Sequence, residues 1–408
     1  MANGPLTGIR VVELAIWGMV PMAGTILREW GADVIKVEHP ERADPLRTNI
    51  MGGRDPSEGG AHYMWEMHNR GKRGITLDLT KPEAHEVFRR LIESADVFLT
   101  NVRVSSRANL GIDIDTIQSI NPGIIYAHAS GMGSRGPEAA RGGYDTAAFW
   151  ARSGIAYKGT APGVDSPPDL PSAAFGDILT GYMLAGGIAA SLAGREQRTA
   201  ERGAVLETSL LATGMWAMRN EIAACEIFGL DGFFGLGRGS ITNPLNAAYR
   251  TKDDRFVQLV MLEADLHWPD LCKHLDRADL IDDPRFATMQ LRAVNAAECI
   301  RMLEAEFTKR TLDEWRKILL TTTGVWGVVQ SPGEVGSDPQ AVANEYLKPA
   351  LAATGNTFPM VPNPVRFDDE SLDPGPAPDW NQHTDEVLGE LGLDSEQLLE
   401  LKIAGAVQ

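Results

Sequence analysis

Short apolar segments alternate with amphipathic segments along the first 130 residues, and this alternation constrains the fold more than any other feature of the sequence. The apolar segments are brief and rich in β-branched residues, and they are Ile9–Leu14, Asp33–Val37, Val97–Thr100 and Ile124–Ala129. Helical patterns follow at Pro21–Trp30 and Lys81–Ser94. Strands joined by crossover helices form parallel sheets. The sequence therefore predicts a doubly wound, Rossmann-like α/β fold.

The chain is long enough to need more than one structural unit. A single hydrophobic core rarely serves more than about 300 residues, and this chain has 408. Pro162–Pro171 is a proline-rich connector that cannot lie inside a helix. The residue pattern of the sequence changes near Asn220. We expect a large α/β domain over 1–219, a smaller α+β domain over 220–323, and a return linker with the C-terminal part of the large domain over 324–408.

Charge and composition exclude several classes of partner. The chain carries 55 acidic and 38 basic residues, and its formal charge of −17 repels nucleic acid and anionic membranes. The longest nearly uncharged apolar run, Met183–Ala193, is shorter than the roughly 20 residues of a spanning helix. The N-terminus lacks a signal-peptide pattern, and three scattered cysteines suit neither a disulfide framework nor a zinc site. We expect a cytoplasmic protein with no metal, no nucleic acid and no membrane partner.

Familiar catalytic motifs are absent from the sequence. The loop after the first predicted strand, Ala15–Pro21, has no GxGxxG, which disfavours a dinucleotide even though Glu38 ends the second strand. P-loop, HExxH and GxSxG patterns do not occur either. Two basic segments, 69–74 and 101–107, stand out in an acidic chain. Arginine and lysine there favour a phosphorylated ligand near the sheet, although solvated surface charge explains each segment singly.

Asp177 admits two interpretations. It lies between the proline-rich connector and a glycine- and alanine-rich helical segment, Ile178–Ala193. Aspartate is a preferred helix N-cap, and its position alone favours that role. An ionised carboxylate beside small neighbours is also a nucleophile that needs no base, and free N–H groups at a helix start favour a developing oxyanion.

The sequence resembles the class III coenzyme A transferases, the CaiB/BaiF superfamily of formyl-CoA transferase, carnitine CoA-transferase and α-methylacyl-CoA racemase. The resemblance covers nearly the whole chain, and its landmarks occur in family order. They are LTGIRVVELAIWGMVPMAGTILREWGADVIKVEHP, NRGKRGITLDL, ADVFLTNVR, LGID, NPGIIYAHASGMGSRGP, GGYDTAAFWARSG, AFGD, RGAVLETSLL and HTDEVLGELGL.

This resemblance implies a nucleophilic Asp177 in the Gly176-Asp177 turn. The implied reaction moves CoA from an acyl-CoA donor to a carboxylic acid acceptor through aspartyl-anhydride and aspartyl-CoA thioester intermediates. Coenzyme A is then a substrate, and no tightly bound cofactor and no metal are expected. The resemblance also implies an interlocked homodimer.

Tyr144 distinguishes the transferase from its nearest alternative. Racemases of the superfamily carry a Gly-His-Asp triplet where this chain has Gly143-Tyr144-Asp145. Tyrosine, with a reference pKa near 10, is a poor neutral-pH proton shuttle, so we assign Tyr144 an orienting role. An α-methylacyl-CoA racemase or epimerase and a non-catalytic CoA-binding paralogue stay open as alternatives.

The resemblance also implies a set of CoA-binding residues. They are Ile16, Trp17, Gly18, Met19, His39, Lys72, Arg73, Asn101, Arg103 and Arg141. Ile16 and Trp17 are bulky where formyl-CoA transferase has hydrophilic residues, which argues against a small diacid as substrate. A glycine patch at 235–239 only loosely matches the family's active-site loop.

Overall fold

The computed structural model describes residues 4–48, 58–161, 163–197, 202–232, 238–368 and 372–408. The chain divides into two compact units. The larger unit consists of Met1–Tyr157, Pro167–Ala223 and Ala343–Gln408, and the smaller consists of Lys158–Ser166 and Ala224–Val342.

The strands of the described residues form three sheets. In chain order they are β1 (Arg10–Leu14), β2 (Asp33–Glu38), β3 (Arg73–Thr76), β4 (Val97–Thr100), β5 (Ile125–Ser130), β6 (Val205–Ser209), β7 (Ala248–Arg250), β8 (Phe256–Leu259), β9 (Trp326–Val328), β10 (Lys348–Leu351) and β11 (Thr357–Met360).

The helices lie between and after these strands. They are α1 (Met19–Glu29), α2 (Tyr63–Asn69), α3 (Pro82–Glu93), α4 (Val104–Arg107), α5 (Ile114–Ile120), α6 (Ile155–Gly159), α7 (Phe175–Ala193), α8 (Leu210–Ala217), α9 (Arg219–Phe228), α10 (Ala264–His274), α11 (Met289–Val294), α12 (Ala296–Phe307), α13 (Leu312–Leu319), α14 (Pro332–Val335), α15 (Pro339–Ala343), α16 (Thr384–Glu390) and α17 (Ser395–Ile403).

The larger unit is built on a six-stranded sheet in the order β3-β2-β1-β4-β5-β6. Every neighbouring pair in this sheet is parallel. The predicted α/β fold with a large parallel sheet is confirmed, and each of the four predicted strands in this sheet agrees within one residue at either end. The strand order reverses between β1 and β4, and ligands of open α/β sheets bind beside such a switch point.

Helices cover both faces of this sheet, as a doubly wound fold requires. Successive residues of a strand point to opposite faces, and β1 shows this directly. Val11 belongs to the hydrophobic cluster that includes α1 and α7, whereas Val12 belongs to the cluster that includes α3, α5 and the C-terminal helices. The C-terminal end of the chain therefore completes the core that the N-terminal strands begin.

Helix α7 lies against α1 on one face of the sheet. Among the described residues it is the one helix long and apolar enough to cross a membrane by length and composition. Core helices of folded proteins pass the same test, and Leu184, Ala185 and Ile188 of α7 are buried in the cluster that includes α1. The absence of a membrane partner stays a prediction.

The smaller unit has its own core. Strands β7, β8 and β9 form an antiparallel sheet, and its cluster includes the buried Trp268 and Trp315. Cys272 and Cys299 are buried free thiols, as expected for reduced cysteines. Because β9 pairs with β8, the unit extends to Val342, beyond the end at 323 that the sequence suggested.

Candidate active site

The loops that follow β1 and β4 meet at the switch point of the sheet. The backbone N–H of Ile16 donates to Oδ1 of Asn101 at 3.1 Å, and Nδ2 of Asn101 donates to the carbonyl oxygen of Ile16 at 2.6 Å. This two-way bond joins the two loops at the carboxyl edge of the sheet. The structure thus brings together two residues that the sequence placed in one CoA site.

Gly18 places the loop after β1 directly against Asp177. Gly18 precedes α1, and Asp177 lies in the first turn of α7. A Cβ atom at Gly18 would stand 2.6 Å from Oδ2 of Asp177. Only glycine at position 18 leaves room for the Asp177 carboxylate in this position.

Asp177 is not the N-cap of its helix. Helix α7 begins at Phe175, three residues before the predicted start, and Ala174 precedes it in the left-handed conformation with φ 58°. Asp177 is the third residue of the helix, and the described structure gives its carboxylate no capping bond. The structural role that position alone favoured is therefore wrong.

The carboxylate of Asp145 accepts hydrogen bonds from N–H groups at the N-terminus of α7. The N–H of Gly176 donates to both carboxylate oxygens of Asp145, at 3.1 and 3.0 Å, and the N–H of Asp177 also bonds to Asp145. A Cβ at Gly176 would stand 2.4 Å from Oδ1 of Asp145. These N–H groups are not free for an oxyanion, which corrects that part of the expectation for α7.

Burial and like charge act together on the two carboxylates. Burial raises the pKa of Asp177 to about 7, and the negative charge of Asp145 adds to this shift. Burial also raises the pKa of Asp145, against the opposing effect of its bonds to the N–H groups of Gly176 and Asp177. Carboxylates with perturbed pKa values at a ligand-binding edge are typical of functional sites.

An aromatic pair stands beside the carboxylates. The rings of Trp17 and Tyr144 meet edge to face with 5.7 Å between their centroids. Trp17 directly precedes Gly18, and Tyr144 directly precedes Asp145. The structure therefore gathers Ile16, Trp17, Gly18, Asn101, Tyr144, Gly176 and Asp177 in one region. Met19 starts α1 at the same edge, and its side chain is buried in the core.

Basic side chains and His39 lie on the carboxyl-edge loops. Arg103 is exposed, and its Nη2 lies 3.4 Å from the position of a Cβ on Gly142. Arg141 is exposed and pairs with Glu138 at 3.0 Å. His39 follows β2, and its Nε2 lies 3.1 Å from Nη2 of Arg42. Arg42 was not among the residues named from the sequence.

Lys72 is a buried structural residue. Its Nζ donates to Glu13 Oε1 at 3.1 Å, to Asn69 Oδ1 at 3.0 Å, and to the carbonyl oxygens of Pro21 and His68 at 2.7 and 2.8 Å. The side chain is fully buried, and burial lowers its pKa to about 8 although Glu13 opposes the shift. With four acceptors around it and no exposed surface, Lys72 does not face a ligand, contrary to the expectation.

A second buried lysine fixes the loop after β1. Nζ of Lys36 donates to Ala15 O at 2.7 Å and to Asp44 Oδ2 at 3.0 Å, and it lies 3.3 Å from Glu13. Burial by itself would lower the Lys36 pKa, but the facing carboxylates of Asp44 and Glu13 outweigh it and raise the pKa. The other oxygen of Asp44 accepts from the N–H of Trp17 at 3.0 Å. The sequence analysis did not identify this network of buried charges.

Arg73 lies at the opposite edge of the sheet. It begins β3, and its guanidinium bonds to Asp33, the first residue of β2, at 2.9 and 2.6 Å. The same group pairs with Glu390 at 2.6 Å and with Glu386 at 3.2 Å. Parallel strands present their first residues at the amino edge, whereas Gly18 and Asp177 lie at the carboxyl edge. The structure thus contradicts the assignment of Arg73 to the CoA site.

Residues 233–237 lie outside the described residues, and they include most of the glycine patch at 235–239.

The sheet order and its crossover helices define a doubly wound α/β protein with a buried carboxylate at the switch point. Residues 6–384 match the family described as CoA-transferase family III, and the chain belongs to this family. It is a class III CoA-transferase, an enzyme that uses CoA thioesters as substrates.

Three similar proteins illustrate the family. The chain is 32% identical to (R)-2-hydroxy-4-methylpentanoate CoA-transferase of Clostridioides difficile, with 99% of each chain covered. It is 30% identical to succinyl-CoA:glutarate CoA-transferase of Homo sapiens, covering 99% of this chain and 90% of that one. The crystal structure of a CAIB/BAIF family protein from Brucella suis superposes with a TM-score of 0.80 at 28% identity, covering 96% of this chain and 100% of that one.

Proposed function

We propose that Asp177 is the nucleophile of CoA transfer from an acyl-CoA donor to a carboxylic acid acceptor. An oxygen of the Asp177 carboxylate attacks the thioester carbonyl, the C–S bond breaks, and CoA leaves as its thiolate. The product is a mixed anhydride between Asp177 and the acyl group. The thiolate then attacks the aspartyl carbonyl of this anhydride, which releases the donor acid and leaves an aspartyl-CoA thioester.

The second half of the reaction repeats these steps with the acceptor. The acceptor carboxylate displaces CoA thiolate from the aspartyl thioester and forms a new anhydride. The thiolate attacks the acceptor-derived carbonyl of that anhydride, and the new acyl-CoA leaves as the Asp177 carboxylate is restored. No net bond energy is lost, because each step exchanges one activated acyl derivative for another.

The single observation that carries this proposal is the position of Asp177 against Gly18 at the switch point of the sheet. Asp145 directly follows Tyr144 and bonds to the N–H groups of Gly176 and Asp177, which fixes the turn that presents the nucleophile. Helix α1 begins directly after Gly18, and the N–H groups of Met19 and Val20 in its first turn have no intrahelical acceptor, whereas Pro21 has no N–H and Met22 donates to the Gly18 carbonyl oxygen at 2.8 Å. The N–H groups of Met19 and Val20 supply partial positive charge to an oxyanion that forms beside Asp177.

For CoA itself we propose contacts along the carboxyl edge of the sheet. They involve the loop Ile16–Met19, His39, Asn101, Arg103 and Arg141. Arginine suits the phosphates of CoA because its guanidinium binds phosphate oxygens in pairs. Lys72 and Arg73 are left out of this set because Lys72 is fully buried and Arg73 lies at the amino edge of the sheet, where it pairs with Asp33 and Glu390.

The identity of the acids differs between relatives. One similar protein is named for (R)-2-hydroxy-4-methylpentanoate and another for succinyl-CoA and glutarate. We therefore propose an acyl-CoA donor and a carboxylic acid acceptor for this chain without taking either acid from a relative.

Chemical trapping tests the nucleophile. Incubation with acyl-CoA and hydroxylamine is expected to convert Asp177 to its hydroxamate, which mass spectrometry of a peptide digest detects. Asp177→Ala is expected to abolish exchange of labelled CoA into acyl-CoA, whereas Asp169→Ala, at an exposed carboxylate in the same segment, is expected to keep it. Exchange by the Asp177→Ala protein would overturn the mechanism.

The same assays separate the alternatives. A racemase or epimerase would place solvent deuterium on the α-carbon of the acyl group in the absence of an acceptor acid, and a non-catalytic paralogue would bind CoA without label exchange. We expect neither result, because Tyr144 stands where a proton shuttle would be needed.

We also propose that the protein is a cytoplasmic homodimer whose subunits interlock. Support comes from the family resemblance and from exposed apolar side chains on α7 and α8, including Leu179, Met183, Met215 and Trp216. A second copy of the chain would cover these side chains. Light scattering after size-exclusion chromatography is expected to give twice the 44.2 kDa mass of the chain, and a monomer at micromolar concentration would contradict it.

A further inference from the structure

We propose that the acid exchanged at Asp177 is an apolar monocarboxylate with a branched or aromatic chain, and that Trp17 and Tyr144 select it. This inference rests on the proposed CoA transfer and adds the substrate class and the residues that determine it.

Buried charged residues fix the position of Trp17. Trp17 has a left-handed backbone with φ 66°, which is unfavourable for a bulky residue. Its N–H donates to Asp44 at 3.0 Å, and the other oxygen of Asp44 accepts from the fully buried Lys36 at 3.0 Å. These buried charges hold the loop in a conformation that the sequence alone would not favour. A rigid support of this kind is what a specificity-determining side chain requires.

The ring also has a hydrophobic support. Trp17 packs against a buried cluster in which Leu46, Met64 and Trp65 take part. Its ring packs edge to face against the ring of Tyr144. The result is an aromatic corner, defined here as Trp17 and Tyr144, that is anchored on its inner side.

The outer side of this corner offers uncovered apolar surface. Tyr144 is 65% exposed and Ile16 is 43% exposed. Ile16 lies two residues before Gly18, and Tyr144 directly precedes Asp145. Gly18 and Asp145 both border the nucleophile. An acyl chain attached to Asp177 in the anhydride would extend from this position, and an apolar chain would bury surface on the aromatic corner.

The charges near Asp177 disfavour a second carboxylate on the substrate. The charged group that shifts the Asp177 pKa is Asp145, and no lysine or arginine among the described residues contributes to that shift. Lys36 and Lys72 point into the buried network beneath the loop. A diacid would therefore place its free carboxylate beside apolar surface and two existing carboxylates, while the exposed Arg103, which lies beside Gly142, is assigned to the CoA phosphates.

A donor panel tests the substrate class. Exchange of labelled CoA is measured with acetyl-CoA, 4-methylpentanoyl-CoA, 3-phenylpropanoyl-CoA, succinyl-CoA and glutaryl-CoA. A single methylene in an apolar pocket changes kcat/KM by about 10- to 200-fold. We expect 4-methylpentanoyl-CoA or 3-phenylpropanoyl-CoA to exceed succinyl-CoA by about 100-fold or more in kcat/KM.

Variants of the aromatic corner test the selecting residues. Trp17→Ala and Tyr144→Ala are each expected to lower the ratio of kcat/KM for the preferred apolar donor over acetyl-CoA by about 10-fold or more. Tyr144→Phe is expected to keep most of that ratio because the ring edge remains. Tyr157→Ala is the matched control, since Tyr157 is also a tyrosine with 65% exposure but is not part of the corner, and it is expected to leave the ratio unchanged.

The outcomes separate this inference from the proposed function. No exchange with any donor, together with unmodified Asp177, would remove the proposed function itself. Asp177-dependent exchange that favours succinyl-CoA or glutaryl-CoA, or equal ratios in Trp17→Ala and the unaltered protein, would overturn the inference and leave the transferase intact. A diacid preference that disappears in Arg103→Ala would show that Arg103 serves the acid and not the CoA phosphates.

Discussion

At the scale of single residues, the site separates two neighbouring aspartates into different roles. Asp145 accepts the N–H groups of Gly176 and Asp177 and holds the turn. Asp177 makes no corresponding bond in the described structure, and burial with the Asp145 charge raises its pKa to about 7. A carboxylate of higher pKa is a stronger nucleophile when ionised but is ionised over a narrower pH range. The raised pKa thus makes the ionised Asp177 carboxylate more reactive and narrows the pH range in which it is ionised.

The pH profile of the reaction is expected to report the Asp177 pKa. Below pH 7 the carboxyl is mostly protonated and cannot attack, so kcat/KM should rise with pH and level off above about 7 to 8. Asp145→Asn removes the like charge, which lowers the Asp177 pKa and moves the rise to lower pH. Initial rates between pH 5 and 9 check this. A rise that stays in place or moves to higher pH in Asp145→Asn would contradict the assignment, and Asp169→Asn serves as the control.

The space left by Gly18 is expected to be essential for the same carboxylate. Gly18→Ala introduces a methyl group 2.6 Å from Oδ2 of Asp177, so the carboxylate must turn away. A displacement of this size in a catalytic group costs about 100-fold in rate, and we expect kcat/KM to fall 10- to 100-fold with little change in thermal stability.

Gly59→Ala is the control for this prediction. Gly59 has nothing within 4 Å of the position of its Cβ, so the variant should retain full activity. Equal activity of Gly18→Ala and Gly59→Ala would show that the contact with Asp177 has no catalytic consequence.

Sequence reasoning reached the residues of the site more readily than the residues that support it. Ile16, Gly18, Asn101 and Asp177 could be named because the family landmarks mark them. The roles of Lys36 and Glu13 could not be named, because two buried charges on neighbouring strands are recognised as partners only when the register of β1 against β2 is known.

At the scale of elements, the glycines of α7 have unequal roles. A glycine inside a helix costs stability unless close packing compensates, and α7 contains Gly181, Gly186 and Gly187. A Cβ at Gly181 would stand 2.8 Å from Cβ of Met22 on α1, whereas nothing lies within 4 Å of the position of a Cβ at Gly186. Gly187 has only ordinary van der Waals contact. Close packing therefore requires glycine at position 181 only, and not at 186 or 187.

This difference predicts opposite effects of the same substitution. Gly181→Ala is expected to force α1 and α7 apart and to cost about 1 to 3 kcal/mol of unfolding free energy. Gly186→Ala removes backbone entropy without a clash and is expected to add about 0.5 to 1 kcal/mol. Urea denaturation followed by circular dichroism compares the two variants, and a stabilising Gly181→Ala would show that the α1–α7 contact is loose.

At the scale of the whole molecule, the two ends of the chain form one core. Val387, Leu388 and Leu401 of the C-terminal helices are buried against the same face of the sheet as Val12. The alternating pattern near the N-terminus predicts the parallel sheet, but it contains no information on what covers its second face. The return of the chain to the large domain was predicted from the change in the sequence pattern after residue 323, which did not identify the helices that cover this face.

Charged groups at the amino edge of the sheet join these two ends. Arg10 and Arg73 both bond to Asp33 and to Glu390 of α16. Two carboxylates of the C-terminal helix α16, Glu386 and Glu390, are thus paired with arginines of the N-terminal strands.

Arg73→Ala is expected to weaken this junction without affecting CoA binding. The guanidinium is largely buried and makes a paired bond to Asp33 as well as bonds to Glu386 and Glu390, so its loss should cost about 1 to 2 kcal/mol of unfolding free energy after solvent screening. Arg89→Ala is the control, because Arg89 is an exposed arginine of α3 paired within its own helix, and it should leave stability unchanged. Urea midpoints and the KM for acyl-CoA are measured on both variants. A KM that rises about 10-fold in Arg73→Ala with unchanged stability would instead place Arg73 at the CoA site, as the family resemblance implied, and would require the amino edge of the sheet to bind substrate.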